Sequence, residues 1–289
     1  MRSRSISVIG LILLFCSLFI VLFVPRVQSQ DTLKLGIHPY LVASDLYKRF
    51  TPLAEYLSRE TGKKVVIEIA SNYEEHIEKI GRNLIDIAYM GPASYVKLVE
   101  TYGKKPILAA IEIDGKKYFY GVIIALKSGT ISSLNDLKGK RFAFGDPHST
   151  MSHLVPRYML WKVGIGIDDL GGHTHLSNHD NVALAVLTGN FDAGAVKMET
   201  YQKYEKRGLK VIAATPDIHE HVFVASNALT TDTVRTLREA FIQLKDRKEG
   251  EHIMSSIKKN MTAMGSVYDG DYDNLRKILN ALKELGVEP

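Results

Sequence analysis

Cysteine is almost absent from this sequence, since Cys16 is the only one among 289 residues. It follows Phe15 in the middle of the apolar run Val8–Val24, whereas a lipidated cysteine would close such a run after a small residue. We therefore interpret Cys16 as part of the apolar run. The rest of the chain contains no cysteine, which excludes disulfide bonds and thiolate chemistry from it.

An excess of one charge sign is also missing from most of the chain. The formal net charge is +5, but the first 30 residues contain three arginines and no acid, so the remainder carries 34 basic and 32 acidic side chains. Nucleic-acid binding requires a concentrated basic face, which this composition does not supply. A hydrophobic share of 45% and a charged share of 24% are typical of one large or two medium globular domains.

The N-terminal 29 residues have the pattern of a targeting segment. Arg2 and Arg4 precede the apolar run, and Val27 and Ser29 suit the −3 and −1 positions of a signal peptidase site. We predict that residues 1–29 form a cleaved signal peptide. The apolar run is long for such a peptide, so an uncleaved membrane anchor is the alternative.

From Thr32 onward, short β-branched segments alternate with segments of helical spacing. The strand pattern "LKLGI" precedes a helix with apolar residues at Leu46, Phe50, Leu53 and Leu57, and similar units follow to the end of the chain. Repeated β-α units predict an α/β fold with mostly parallel sheets flanked by helices. No tandem repeat or flexible linker is visible, which favours two lobes between which the chain passes more than once.

Ligands of such sheets bind beyond the carboxyl ends of the strands, and three strand ends carry suitable residues. These are "AYMGPASY" at 88–95, "FGDPHSTMS" at 144–152 and "LSNHDNVA" at 176–183. In the second, Ser149 or Thr150 can cap a helix whose first backbone N–H groups then face outward. Such a helix start favours anions, although an ordinary helix cap would leave the same pattern.

Four segments together resemble the periplasmic phosphonate-, phosphite- and phosphate-binding proteins of ABC transporters. They are "DIAYMGPASY", "SLNDLKGKRFAF", "FGDPHSTMSHLVPRYML" and "NHDNVALAVLTGNFDAGAV", and the resemblance runs from about Leu33 to Ala228. It implies the type II periplasmic-binding-protein fold, in which two α/β lobes close on a ligand. The implied first lobe comprises residues 32–118 and 222–289, the second comprises 127–221, and hinge strands lie at 119–126 and 222–228.

The resemblance also implies a set of ligand-binding residues. Ser149 and Thr150 match the family's oxyanion ligands, whereas Met151 and Ser152 stand where the family usually has a hydroxyl and a glycine, so their backbone N–H groups would serve. His179 matches a ligand-contacting histidine, with Asp180 expected to orient it. The remaining positions are Tyr40, Tyr89, Met90, Gly91 and Glu199. Glu199 matches a carboxylate that binds the amine of aminophosphonates, but it is also placed to pair with Lys197. The family's second such carboxylate would fall near Glu220 or His221.

The function that the resemblance implies is a monomeric periplasmic receptor that delivers a small phosphorus oxyanion to an ABC permease. We expect no cofactor, metal or nucleic acid and no catalysis. Met151 leads us to expect phosphite, phosphate or a simple alkylphosphonate to bind better than 2-aminoethylphosphonate. One alternative is a membrane-anchored module of the same fold that signals to a partner receptor. A second is a hydrolase that combines Ser149 with Asp146 and either His148 or His153. A third is a metal-binding receptor that uses histidines among His148, His153, His173, His175 and His179, with His173 and His175 on one face of a strand.

Overall fold

The structure is a computed structural model that describes residues 32–286. The predicted signal peptide, with Cys16 and the apolar run, lies outside the described residues. Among the helices that are described, none combines the length and apolar character needed to cross a membrane.

Strands and helices alternate along the described residues, largely as the sequence patterns predict. The strands are β1 Thr32–Ile37, β2 Lys64–Ile69, β3 Ile87–Met90, β4 Ile107–Ile113, β5 Tyr118–Phe119, β6 Gly121–Leu126, β7 Arg141–Phe144, β8 Gly172–His175, β9 Ala193–Lys197, β10 Leu209–Ala214, β11 Ile218–His219, β12 Val222–Ala225 and β13 Met261–Gly265. The α-helices are α1 Ala43–Thr61, α2 Tyr73–Gly81, α3 Pro92–Tyr102, α4 Val155–Lys162, α5 His179–Leu187, α6 Met198–Tyr204, α7 Thr231–Gln243, α8 Gly250–Ile257 and α9 Asp273–Glu284.

Two sheets confirm the predicted α/β class. The first has the strand order β13-β4-β12-β3-β1-β2 and the second has the order β10-β6-β9-β7-β8. We call each sheet with its helices a lobe. The sheets are mixed rather than mostly parallel: β1 runs parallel to β2 and β3, and β7 to β8 and β9, but every other pairing in the two sheets is antiparallel. Helical crossovers within a lobe connect the parallel strands. The strands β6 and β12 follow a passage between lobes, and each enters its sheet antiparallel to its neighbours.

The passage between the lobes lies at a short strand pair rather than at the expected hinge strands. Gly121–Leu126 pairs within the second sheet and Val222–Ala225 within the first. The chain crosses on either side of β5 and β11, which form an antiparallel ribbon with Phe119 opposite Ile218. The hinge bounds that the resemblance implied therefore include strands that belong to the two sheets, and two-residue strands leave almost no periodic signal by which the sequence could have located the passage.

The helix α1 shows how the sequence pattern becomes a packed face. Its residues Leu46, Phe50, Leu53 and Leu57 are completely buried against the first sheet, and the helix ends at Gly62 with a φ of 66°, a left-handed conformation that suits glycine. Each such side chain contributes roughly 1.5–3 kcal/mol by leaving water. This burial holds the start of α1, and the loop before it, in place beside the end of β1.

One apolar cluster joins the two lobes. Met151, Leu154 and Val155 of the second lobe pack in the same buried cluster as Ile278 and Leu282 of α9. The helix α9, expected in the first lobe only, thus lies against both α3 and α4. The two lobes are held in contact on this side, next to the ends of β3 and β7.

Candidate functional site between the lobes

A cavity of about 20 Å³ lies where the ends of β1, β3, β7 and β9 meet between the lobes. That is room for about one water molecule, so the lobes are closed in this structure. The cavity is lined by His38, Tyr40, Tyr73, Gly91 and His221 from the first lobe, by Phe119 from the connecting ribbon, and by Ser149, Thr150, Met151, His179 and Lys197 from the second.

Six of the ten residues predicted as ligands line this cavity together. They are Tyr40, Gly91, Ser149, Thr150, Met151 and His179. They come from the three strand ends that the sequence pointed to and from the segment after β1. The other four predicted residues, Tyr89, Met90, Ser152 and Glu199, do not line the cavity.

The segment 149–154 combines a helix cap with free backbone donors. Ser149 is the cap residue, and its hydroxyl oxygen accepts from the Ser152 N–H at 3.2 Å. A π-type turn, Thr150–Leu154, follows and continues into α4. The N–H groups of Thr150 and Met151 lie in the first turn, where no earlier residue of the helix can accept a hydrogen bond from them. The cap and the anion site are therefore compatible, because the cap uses the Ser152 N–H and not these two.

The starts of two helices from opposite lobes meet at Thr150. Its hydroxyl oxygen accepts a hydrogen bond from the Ala93 N–H in the first turn of α3, at 3.0 Å. Gly91 is the cap of α3 and Pro92 occupies its first position, where its missing N–H is no loss. The Thr150 hydroxyl proton stays available for a second partner. Positive ends of two helix dipoles thus converge on one small space.

Ser152 is a correction to the predicted ligand set. It is completely buried, and its hydroxyl donates to the Ala195 carbonyl oxygen of β9 instead of facing the cavity. Gly145 makes room for it, because a side chain at Gly145 would start 2.7 Å from the Ser152 Cβ. The serine therefore ties the turn to the second sheet.

Tyr89 and Met90 are also corrections, and strand geometry explains both. Tyr89 points into the core of the first lobe, where it packs on Phe50 and Phe223 and stacks on the His221 ring at 5.2 Å. Successive side chains of a strand face opposite ways, so Met90 lies in the apolar cluster on the other face. The backbone reaches the site only at the next residue, Gly91.

His179 presents a hydrogen-bond donor to the cavity. Its Nδ1 accepts from the Lys197 backbone N–H at 3.2 Å, so the ring proton resides on Nε2. Burial, followed by the charge of Lys197, holds its pKa well below the usual 6.5, which keeps the ring neutral. Asp180, expected to orient the ring, instead pairs with Lys203 at 3.1 Å. The side chain of Asp180 points away because it is the next residue along the helix.

Glu199 forms an ion pair across the lobes and does not contact the cavity. Its carboxylate lies 3.0 Å from Nη1 of Arg49 on α1 and 3.3 Å from Nζ of Lys197. Burial alone would raise its pKa, but Lys197 and Arg49 outweigh burial and hold it well below 4.5. The alternative pairing with Lys197 is therefore observed, and a role as an amine ligand is not.

His38 is a lining residue that the sequence patterns did not reveal. It is 1% exposed, and neither ring nitrogen has a hydrogen-bond partner within residues 32–286. Its ring lies 4.8 Å from that of Tyr40 and 4.9 Å from that of Tyr73. Burial, followed by the charge of His221, depresses its pKa. A buried polar group without a partner is costly, so its nitrogens indicate a place for a ligand.

Lys197 supplies the cavity with a positive charge. It is the last residue of β9 and is 5% exposed, and its ammonium lies 4.0 Å from the centre of the Tyr40 ring. Burial lowers its pKa, and Glu199 acts in the opposite direction. The available sequence signal was a lysine placed directly at the end of the "DAGAV" strand.

His221 lines the cavity from the first lobe, beside a buried carboxylate. Its Nδ1 lies 2.9 Å from Oε2 of Glu220, and Oε1 of Glu220 accepts from Lys258 at 2.6 Å. Although burial raises the pKa of Glu220, Lys258 and His221 lower it to about 2. Glu220 itself does not reach the cavity. The position before β12 carried no distinctive motif.

The contacts around Ser149 do not form a nucleophile with its base. The Ser149 hydroxyl oxygen accepts from the Ser152 backbone N–H. The His148 backbone N–H donates to Asp146, and His153 Nδ1 donates to the Pro147 carbonyl oxygen at 2.6 Å. Across the described part of the chain, no group of three or more His, Cys, Asp or Glu side chains is placed to hold a metal ion. The hydrolase and metal-site alternatives thus gain no geometric support.

Two α/β lobes that enclose a small polar cavity at their strand ends define a two-lobed solute-binding protein. A family model described as "ABC transporter, phosphonate, periplasmic substrate-binding protein" matches residues 35–272, and the chain belongs to this family. Members of the family work with an ABC permease.

Individual relatives agree with the family match. The chain is 29% identical to the phosphate-import protein PhnD of Mycolicibacterium smegmatis, covering 86% of this chain and 85% of that one. It is 27% identical to the phosphonates-binding periplasmic protein of Escherichia coli, covering 80% and 71%. Among solved structures, PhnD1 of Prochlorococcus marinus in complex with methylphosphonate superposes with a TM-score of 0.81 at 24% identity, covering 88% and 99%.

Proposed function

We propose that this protein binds a small phosphorus oxyanion in the cavity between its lobes and delivers it to the permease as a monomer, without catalysis. The observation that carries the proposal is the meeting of two helix starts from opposite lobes at Thr150, beside the Lys197 ammonium and the His179 Nε2–H. These are donors and positive charge in a small space between buried residues, which is the environment that an oxyanion requires.

The contributions of the individual residues follow from their geometry. The N–H groups of Thr150 and Met151 and the hydroxyls of Ser149 and Thr150 donate from the second lobe. The Lys197 ammonium neutralises negative charge on the bound oxyanion. His38 and the Tyr40 and Tyr73 rings form the opposite wall. Because both lobes supply lining groups, the ligand completes its hydrogen bonds only in the closed form, and this difference in affinity drives closure.

The size of the cavity and Met151 favour a small substituent on phosphorus. Met151 lines the cavity without a side-chain donor, and its thioether sulfur accepts from the Thr215 hydroxyl at 3.4 Å. Glu199, which would favour an amine, is engaged by Arg49 and Lys197. An aminoethyl group would therefore meet an apolar wall and find no free carboxylate in the cavity.

Calorimetry with phosphite, phosphate, methylphosphonate and 2-aminoethylphosphonate tests the proposal. We expect at least one of the first three to bind at least about tenfold more tightly than 2-aminoethylphosphonate, or about 1.4 kcal/mol. Lys197→Met should weaken all of them, whereas Lys203→Met, a matched change outside the cavity, should not. Absence of binding by all four anions would overturn the proposal, and tighter binding of 2-aminoethylphosphonate would overturn the assignment of Met151 and Glu199.

The export route and the absence of turnover have separate tests. Mass spectrometry of the protein from the periplasm should show a mature chain that begins near Gln30; retention of residues 1–29 would favour the membrane-anchored sensing role instead. Incubation with methylphosphonate should release no phosphate.

A further inference from the structure

Thr150, His179 and Lys197 supply donors to the cavity, and His221 supplies an acceptor whose position its protein partners fix. A carboxylate can only accept, so the contact between Glu220 Oε2 and His221 Nδ1 at 2.9 Å places the ring proton on Nδ1. The same carboxylate oxygen accepts from the His221 backbone N–H at 3.1 Å, which fixes the ring against it. The other ring nitrogen, Nε2, therefore carries a lone pair.

This lone pair lies at the cavity. His221 Nε2 is 3.8 Å from the point where a Cβ would stand on Gly91, the cap of α3, and His221 and Gly91 both line the cavity. The ring cannot readily turn, because it stacks on Tyr89 with an interplanar angle of 16° and has Phe119 at 5.0 Å. Nε2 therefore offers a fixed acceptor in a cavity that is also lined by the donors Thr150, His179 and Lys197.

The charged and titratable groups around this ring keep it neutral. Two ammonium groups, Lys258 beside Glu220 and Lys197 across the cavity, oppose a second proton, whereas Glu220 favours one. The rings of His38 at 5.3 Å, Tyr89 at 5.2 Å and Tyr40 at 6.2 Å, together with His179, also lie near it and carry no charge at neutral pH. Burial is the largest influence, and the pKa of His221 lies below the usual 6.5.

We propose that His221 Nε2 accepts a hydrogen bond from a protonated oxygen of the ligand, so that the site selects oxyanions that keep one proton and rejects sulfate and sulfonates. This inference rests on the proposed function. An unprotonated oxygen would set its lone pair against that of Nε2, whereas a P–OH group satisfies it. Glu220 acts as a positioning residue, because it determines which ring nitrogen holds the proton.

Methylphosphonate and methanesulfonate form a matched pair for the test, since they share shape and size and only the phosphonate keeps a proton near neutral pH. We expect methylphosphonate to bind on the order of a hundredfold more tightly, as sites built around a ligand hydroxyl reject analogues that lack it. At a pH where the phosphonate is mainly a dianion in solution, calorimetry in buffers of different ionisation enthalpy should show uptake of about one proton per ligand bound.

Glu220→Gln should change the discrimination rather than only the affinity. The amide that this change introduces can keep its carbonyl oxygen toward Lys258 and turn its NH₂ group toward His221, so Nδ1 becomes an acceptor and Nε2 acquires the proton. The His221 backbone N–H loses its acceptor in this arrangement. The preference for methylphosphonate over methanesulfonate should then fall at least about tenfold. Asp192→Asn, which changes a carboxylate paired with Arg141 away from the cavity, should leave the preference unchanged.

A second variant keeps the test decisive if Glu220→Gln does not fold. His221→Phe preserves the ring that stacks on Tyr89 and removes the acceptor, so it too should lose the preference. Equal binding of methylphosphonate and methanesulfonate by the unmodified protein would overturn the inference alone, and so would full discrimination in His221→Phe. Failure of the unmodified protein to bind phosphite, phosphate and methylphosphonate would overturn the proposed function instead.

Discussion

Of the three histidines that line the cavity, His179 and His221 come from opposite lobes and each has one ring nitrogen engaged by the protein. His179 Nδ1 accepts a backbone N–H from Lys197, so its Nε2 donates. His221 Nδ1 donates to Glu220, so its Nε2 accepts. The same residue type therefore has opposite hydrogen-bonding roles, because the role at the cavity is decided by the partner on the far side of the ring.

The contribution of the Thr150 hydroxyl to ligand affinity can be measured with a single substitution. Thr150→Val keeps the volume but removes the acceptor for the Ala93 N–H and a donor to the ligand. We expect ligand affinity to fall by about 1.5–3 kcal/mol, the range for hydrogen bonds to charged groups. Calorimetry measures it, with Thr188→Val, whose hydroxyl only donates within its own helix, as the control. Unchanged affinity in Thr150→Val would remove the hydroxyl from the site.

The start of α3 reaches the cavity through its cap residue. Its cap, Gly91, has a φ of −69°, which any residue adopts, so glycine is not needed there for conformation. A Cβ at this position would stand 3.5 Å from His38 Cε1 and 3.8 Å from His221 Nε2, in ordinary contact. The glycine therefore keeps space open where the helix start approaches the ligand.

Gly91→Ala should reduce ligand affinity while leaving the free energy of unfolding almost unchanged. The added methyl should cost less than about 1 kcal/mol of unfolding free energy, since it meets neither strain nor overlap. It would nevertheless fill part of a cavity of about 20 Å³, so we expect ligand affinity to fall at least about tenfold. Thermal unfolding and calorimetry measure the two effects, with Gly166→Ala as a remote control. A variant that binds as well as the parent would show that the ligand does not approach Gly91.

The pH dependence of stability belongs to the whole molecule, because it sums over groups buried in both lobes. Burial lowers the pKa of His76 to about 4 in the first lobe and that of His153 to about 3 in the second. As the pH falls below 6.5, the unfolded chain binds protons that the folded chain cannot, so stability decreases between about pH 6.5 and 3. Glu220 adds a loss as the pH falls from about 4.5 to about 2, since its folded pKa is depressed.

We therefore expect the protein to be most stable above pH 6.5, and to lose about 2 kcal/mol for each of these histidines on going to pH 5. Urea unfolding at several pH values measures the slope. His153→Asn, which can still donate to the Pro147 carbonyl oxygen, should flatten it. The exposed His173 provides the control, and His173→Asn should leave the slope unchanged. Equal slopes in the two variants would contradict the assignment.

Much of the architecture and the centre of the site could be predicted from the sequence. Alternating periodicity located the long strands and helices, and the cap pattern at Ser149 and Thr150 located the free N–H groups. Tyr89 and Ser152 were expected at the ligand, but the core and the second sheet engage their side chains. Glu199 takes the second of its two expected roles, the pair with Lys197. His38, Lys197 and His221 were missed because single residues at three distant strand ends form no local pattern.

The sequence by itself determined what depends on neighbours along the chain. Helical spacing, turn residues and the unpaired N–H groups of a helix start arise within a few residues, so the β-α order and the anion-binding turn follow from local patterns alone. Only the tertiary structure decided which side chains face the cavity, how Lys197 and Glu199 pair, and where the protons of His179 and His221 reside. These properties depend on burial and on partners from other elements, which approach only when the two sheets pack and the lobes meet.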